Sequence, residues 1–376
     1  MPTRILILAN FPKDSIKGQM KGRSGGGATW LPQLADAFFT HKDFEFIWIT
    51  LDNSITKEEM FEHDNQTFIR LPVWKYSIYF LLRHWPVRRK IRRWIKKYEP
   101  DLVHVWGTEH PYSAVFEGLS IPKIISVQGL LTEFGKVWDL NWQLRIQARL
   151  EPKRFQQADV ITCESMWSME GVKKIVPQAD VRVVEYGVHP SFYDAHWQPD
   201  PEDPYMMCIG SLDRRKGTDV LLDALEICKE RKWRCLIAGD GPMKDELVAR
   251  EIPRVEYLGI LGWKELQHLM TKAWALVVPT RADTGPTVVK EARVVGLPVI
   301  GTIHGGLRDY IRQGESGYIV NPLNAENLAE ACSDVMRDFE TTKHMGESGH
   351  SEDRVYFRSE NTAANFVEIY KDLLKI

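Results

Sequence analysis

An α/β architecture with two Rossmann-like domains facing across a cleft follows from the way apolar residues are spaced along the 376-residue chain. Short apolar runs alternate with amphipathic stretches from end to end, the pattern of parallel strands joined by helical crossovers. The length is too great for one ordinary core and suits two. Between the halves lies "HPSFYDAHWQPDPEDP" (189–204), with four prolines and no helical period, which reads as a linker.

In the first half the strand candidates are "ILILA" (5–9), "FEFIWIT" (44–50), "LVHVW" (102–106), "KIISV" (123–127) and "DVITC" (159–163). In the second they are "YMMCIG" (205–210), "RCLIAG" (234–239), "RVEYLG" (254–259), "ALVVP" (275–279) and "PVIGT" (298–302). This places an N-terminal domain at 1–190 and a C-terminal one at 205–355. The stretch 356–376 ends in a helix with apolar positions at Phe366, Ile369, Tyr370 and Leu373, expected to return to the N-terminal domain.

Composition narrows the function classes. Charged residues make up 27% and hydrophobic ones 44%, as in soluble globular proteins. A net charge of −2 gives no global reason to expect nucleic acid. The charge is uneven, however: residues 1–150 hold 21 Lys and Arg against 15 Asp and Glu, so one half is suited to an anionic partner. Five cysteines (Cys163, Cys208, Cys228, Cys235 and Cys332) without C-x-x-C spacing favour reduced thiols and a cytoplasmic setting. No apolar run approaches the roughly 18 residues of a membrane span.

The chemistry concentrates in "RADTGPTVVKEARVVGLPVI" (281–300). Pro286 suits the first turn of a helix that Gly296 and Pro298 close. The amides of Gly285, Thr287 and Val288 are then expected to project from a helix N-terminus, a ready anion site. Glu291 lies one turn on, on the face shared with Thr287 and Val288, placed to accept hydroxyl hydrogen bonds. Asp283 precedes the helix. A phosphate flanked by polyols, the shape of a nucleotide sugar, fits this cradle, although a D-x7-E spacing taken alone is weak. It has company: "IGSLDRRKG" (209–217), with Arg214, Arg215 and Lys216 to neutralise a diphosphate, "AGDGP" (238–242) at another strand end, and "HGGLRDYIRQGESGYIV" (304–320).

In order and spacing these segments resemble the retaining glycosyltransferases of family 4, with the GT-B fold, over roughly residues 205–322. The resemblance implies roles. Lys216 would hold the donor diphosphate with help from Arg215, Glu291 would bind the ribose hydroxyls, and Asp283 would contact the transferred sugar. The amides around Gly285, Thr287 and Val288 would take the distal phosphate, and the backbone near Tyr257 and Gly259 would face the base. The chain departs from the family at Ser211, where Arg is usual, and at Asp283 and Asp309, where Glu is usual. In the first half, Gly25 and Gly26 of "SGGGATW" match the family's glycine-rich loop. Gln128 stands where a histidine beside the donor sugar is frequent.

The resemblance implies transfer of a sugar from a nucleoside-diphosphate donor to a glycan or lipid-linked acceptor in polysaccharide synthesis. It implies no metal and no cofactor besides the donor. A nucleotide-sugar epimerase or hydrolase of the same fold, or an inactive partner subunit, is the alternative. Finally, "PVRRKIRRWIKKYEPDLVHVW" (86–106) carries seven basic side chains over one helix, with an aromatic stretch at 74–85 ahead of it and no acid from Asn65 to Tyr98. An anionic membrane surface is the partner that this charge suits.

Overall fold

The computed structural model describes residues 2–12, 30–73, 84–321, 323–348 and 350–376. Gly25, Gly26 and most of the aromatic stretch, 74–83, lie outside the described residues. The chain divides into two compact units, one formed by Met1–Gly187 with Ser359–Ile376, the other by Val188–Arg358.

In the first unit the described strands are β1 (Thr3–Leu8), β2 (Phe44–Asp52), β3 (Glu59–His63), β4 (Gln66–Pro72), β5 (Leu102–Trp106), β6 (Lys123–Ser126), β7 (Val160–Cys163) and β8 (Val181–Val183). They form one sheet in the order β3-β4-β2-β1-β5-β6-β7-β8. It is parallel except for the antiparallel β3–β4 hairpin at one edge. Burial on both faces explains the continuous apolar runs. Ile5, Ile7, Phe46 and Trp48 point into one core, and Leu6, Leu8, Ile47 and Ile49 into the other. On the first face lie α1 (Leu31–Phe38) and the C-terminal helix Ser359–Leu374, whose Phe366, Ile369 and Tyr370 are buried in the same cluster as Phe38. His104, fully buried in β5, bonds the Tyr370 hydroxyl at 2.8 Å and Ser126 Oγ at 2.6 Å, tying this helix to the sheet. Burial holds His104 neutral.

On the opposite face lies α2 (Trp85–Tyr98), its Val87, Ile91 and Trp94 buried. Part of the unbroken run of positive charge along α2 is answered by acids and carbonyls elsewhere in the chain. Arg88 pairs with Glu117 at 2.5 Å, Arg93 pairs with Glu58, and Lys90 donates to the Pro72 carbonyl at 2.6 Å. Trp85 stays 52% exposed with the Arg89 guanidinium 5.5 Å from its ring centre.

The second unit holds β9 (Tyr205–Ile209), β10 (Arg234–Ala238), β11 (Val255–Gly259), β12 (Ala275–Val277), β13 (Val299–Thr302) and β14 (Gly317–Val320), ordered β11-β10-β9-β12-β13-β14 and all parallel. This is the doubly wound order in which the chain reverses direction across the sheet between its first and fourth strands, here β9 and β12. The segment 189–204 is not a free linker. Phe192 is buried in this unit's core, and the Trp197 and Trp274 indoles donate to the Ala273 and Asp200 carbonyls at 2.7 and 2.8 Å. Its aromatic residues pack on the sheet's helices, which outweighs what its prolines suggested.

Candidate active site

Ligands of doubly wound folds lie beyond the carboxyl ends of the strands where the winding reverses. In the second unit the loops there are 210–217 after β9 and 278–286 after β12. Each is shaped by its own short-range chemistry. After β9, Asp213 accepts from Ser211 Oγ at 2.7 Å and from the Lys216 amide at 2.8 Å, curling the loop back on itself. Gly217, at φ +75°, leads into α3 (Thr218–Ile227). A β-carbon on Gly217 would lie 1.9 Å from the Pro279 carbonyl oxygen, so only glycine lets the two loops touch. Arg281 locks them further through a two-pronged bond to Asp219 at 2.7 and 2.9 Å.

This contact brings together residues 67 positions apart: the Lys216 ammonium is bonded to the Asp283 carboxylate. Burial alone would raise the Asp283 carboxyl, but Lys216 and Arg215 outweigh it and hold the group below the ordinary carboxylate range. Arg215 also donates to the Ala282 carbonyl at 3.1 Å. The two loops together carry four cations, Arg214, Arg215, Lys216 and Arg281, against two anions, Asp213 and Asp283, a surplus suited to a polyanionic ligand.

Helix α4 (Thr287–Val295) begins directly after, with Pro286 in the cap position rather than in the first turn. Gly285 differs from expectation. Its amide donates to Asp283 Oδ1 at 3.3 Å, because the loop carboxylate folds back as a cap. Thr287 and Val288 remain half-buried at the helix start, and Glu291 on the next turn is 2% exposed. Gly296 closes the helix in the left-handed region at φ +96°.

Tyr257 and Gly259 lie on the edge strand β11. The Tyr257 hydroxyl donates to the Gly239 carbonyl at 3.1 Å, with Lys244 Nζ 5.6 Å from its ring centre. Gly239 in turn donates to the Gly259 carbonyl at 2.7 Å, so three strand-end glycines, 210, 239 and 259, form one stepped floor. Ser211 is exposed.

Three contributors were not singled out in the sequence. Asp213 shapes the β9 loop, Asp219 anchors Arg281, and Gly305 with Gly306 braces Asp283. The Gly306 amide donates to the Asp283 carbonyl at 2.9 Å, and a β-carbon on Gly305 would lie 2.4 Å from that oxygen. The Gly-Gly pair in 304–320 carried that signal. In the other unit Gln128 is half-buried just past β6, and Gly25 and Gly26 lie outside the described residues.

Two family models tile the chain, Glycosyltransferase Family 4 over residues 24–192 and Glycosyl transferases group 1 over 192–352. The chain belongs to the group 1/family 4 glycosyltransferases, with the GT-B fold. Among relatives, the chain is similar to the sulfoquinovosyl transferase SQD2 of Arabidopsis thaliana, 24% identical over 70% of this chain. That match spans 55% of the plant protein, little over half its length. Among solved structures, sucrose-phosphate synthase from Thermosynechococcus elongatus superposes with a TM-score of 0.82 at 18% identity, covering 99% of both chains. HepE of Anabaena, solved with UDP and glucose, superposes with a TM-score of 0.71 at 15% identity, over 98% of this chain and 100% of its own.

Proposed function

We propose that this protein is a retaining glycosyltransferase that moves a sugar from a nucleoside-diphosphate donor to a glycan or lipid-linked acceptor, in polysaccharide synthesis. The observation that carries this reading is the Lys216–Asp283 pair, flanked by Arg215 and the start of α4, at the switch point of the second unit. Lys216 and Arg215 neutralise the diphosphate as it departs, charge stabilisation aimed at the leaving group rather than at a covalent nucleophile. Asp283, held ionised, accepts hydroxyls of the transferred sugar, and Glu291 those of the ribose. The amides of Thr287 and Val288 face the distal phosphate. No metal or further cofactor enters this scheme. HepE, solved with UDP and glucose, supports the donor class.

A thermal-shift screen of nucleoside-diphosphate sugars tests it. A donor at 100 times its dissociation constant stabilises the protein by about 2.7 kcal/mol, a readily measured shift. Product analysis with the responding donor then separates transfer, which needs an acceptor, from epimerisation, which does not. No stabilisation by any nucleoside diphosphate would remove the reading.

The acceptor side of the proposal includes an anionic membrane surface at α2. Arg89, beside exposed Trp85, and Lys96 and Lys97 towards the other end of α2 face that role once Arg88, Lys90, Arg92 and Arg93 are discounted as internally bonded. Each engaged cation is worth about 1 kcal/mol near such a surface. Flotation with phosphatidylglycerol vesicles should hold the protein at low salt and release it at high salt. Indifference to the vesicles at low salt removes the membrane from the proposal.

A further inference from the structure

The first unit has its own point where the winding reverses, between β1 and β5. The loops there are built quite differently from those of the second unit. Past β1, Asn10 Nδ2 donates to His110 Nε2 at 2.5 Å, and the Tyr112 hydroxyl donates to Asn10 Oδ1 at 2.7 Å. Past β5, the carboxyl of Glu109 lies against two glycines. A β-carbon on Gly107 would come within 2.3 Å of one of its oxygens, and one on Gly129 within 2.4 Å of the other. Gln128 borders the same space, its Cγ 3.4 Å from that Gly107 position.

Two carboxyls lie near each other here, and they differ in kind. Glu151 is fully buried, and its oxygens take the Thr108 hydroxyl at 2.7 Å and the Leu131 and Thr132 amides at 3.1 and 2.9 Å. Those partners account for it as a structural clamp. Glu109 is partly exposed as a residue, yet its Oε2 atom is buried with no hydrogen-bond partner. A buried polar atom left so costs on the order of 1–3 kcal/mol, a cost that a hydroxyl-bearing ligand would offset. The amides of Glu109, Thr108 and Gly129 face the carboxyl, but burial dominates and pushes it up to about 7, with Glu151 adding to the rise. His110 is held neutral by burial, down to about 4. Residues 10–12, 107–111 and 127–133 contain no Lys or Arg. Among the described residues of these loops the groups donate and accept hydrogen bonds without carrying fixed positive charge, which suits a polyhydroxylated ligand.

We propose that Glu109 is an acceptor-binding residue, its buried Oε2 receiving a hydroxyl of a neutral sugar acceptor at the β1/β5 switch point. The proposal rests on the glycosyl-transfer reading above. Gln128, whose Cγ borders the same space, adds a polar neighbour.

Wild type, Glu109→Ala and Glu109→Asp are compared with the donor found in the screen and a panel of methyl and nitrophenyl glycosides. Hydrolysis of the donor by water is followed separately. Both variants should raise the acceptor KM at least tenfold, with donor KM and acceptor-free hydrolysis within twofold of wild type. Glu109→Asp keeps the charge and withdraws the carboxyl by one methylene, so it reports even where the alanine variant fails to fold. Acceptor KM values within twofold of wild type, or a donor KM that rises in step, overturn the proposal. So does a wild type that turns over its donor yet accepts only anionic acceptors or none of the neutral panel. A wild type that neither binds nor turns over any nucleoside-diphosphate sugar instead removes the underlying glycosyl-transfer reading, and this proposal with it.

Discussion

The two switch points share a topology and differ in charge. Between β9 and β12, Lys216 and Arg215 meet Asp283, a carboxyl held below its ordinary range by those cations. Between β1 and β5, Glu109 is pushed up to about 7 by burial, and its neighbours are amides and the Glu151 carboxyl. A parallel sheet supplies the same crevice in both units. What the crevice takes is decided by the few side chains on the first loop residues beyond each strand. A polyanion suits one, a neutral polyol the other.

The sharpest way to break this comparison is Lys216→Ala. On the proposed reading it removes a charged contact to phosphate, and it leaves Asp283 without its ammonium partner. Charge-assisted bonds contribute roughly 1.5–3 kcal/mol, and both effects place this variant at the upper end, about 100-fold in affinity for a nucleoside diphosphate. Affinity for the bare nucleoside should hold. Equal losses for both ligands in titration calorimetry would show that Lys216 shapes the pocket rather than the charge.

Glu291→Ala comes next, with an expected loss of some tens-fold in kcat/KM and an unchanged fold. On the proposed reading Glu291, on the second turn of α4 and 2% exposed, contacts the ribose. Wild-type kinetics would remove it from the site. Asp283→Asn should cost about tenfold, by loss of one charge-assisted bond, for the sugar nucleotide but little for the free diphosphate. A matching loss for the free diphosphate would mean that Asp283 acts only through Lys216.

The two carboxyls also predict opposite responses of stability to pH. Asp283 has a depressed folded value, so its contribution is present above the unfolded carboxyl range, about 3.9, and is lost as pH falls through the folded value. Glu109 is raised, so its contribution is present below about 4.3 and is lost as pH rises through about 7. Glu109→Gln should therefore gain on wild type in melting temperature between pH 5 and pH 8. A difference that stays constant across that window would mean that Glu109 titrates normally.

Much of the fold was legible because buried parallel strands write themselves as apolar runs. Each strand read from such a run is present, with ends shifted by a residue or two. The strands that escaped lacked that signature. The residues of β3 are all exposed, and β8 is three residues long and only half-buried. β4 follows a tight turn at Asp64, and β14 lay inside a stretch read as motif. The site was legible one residue at a time. Lys216 and Asp283 were each singled out, but their pairing depends on Gly217 passing against Pro279, a contact that no local spacing encodes. Glu109 was not singled out, because only the fold brings its carboxyl between the strand-end glycines Gly107 and Gly129.

The smallest expected effect is that of Ser211→Arg. Ser211 is exposed, and its hydroxyl bonds only Asp213, which keeps its second bond to the Lys216 amide when the serine is replaced. Losing one such bond costs about 0.5–1.5 kcal/mol at most, and an exposed position leaves room for the longer side chain. The loop should therefore keep its shape. The added guanidinium stands on the strand-end loop already occupied by Arg214, Arg215 and Lys216, where a fourth cation attracts a diphosphate but repels its neighbours. Those contributions oppose each other, so nucleoside-diphosphate affinity should change by less than tenfold, upward at low salt and less so as salt screens the charge. If Ser211→Arg abolishes donor binding, Asp213 alone does not hold the β9 loop, and the serine has a part in the anion site that its exposure conceals.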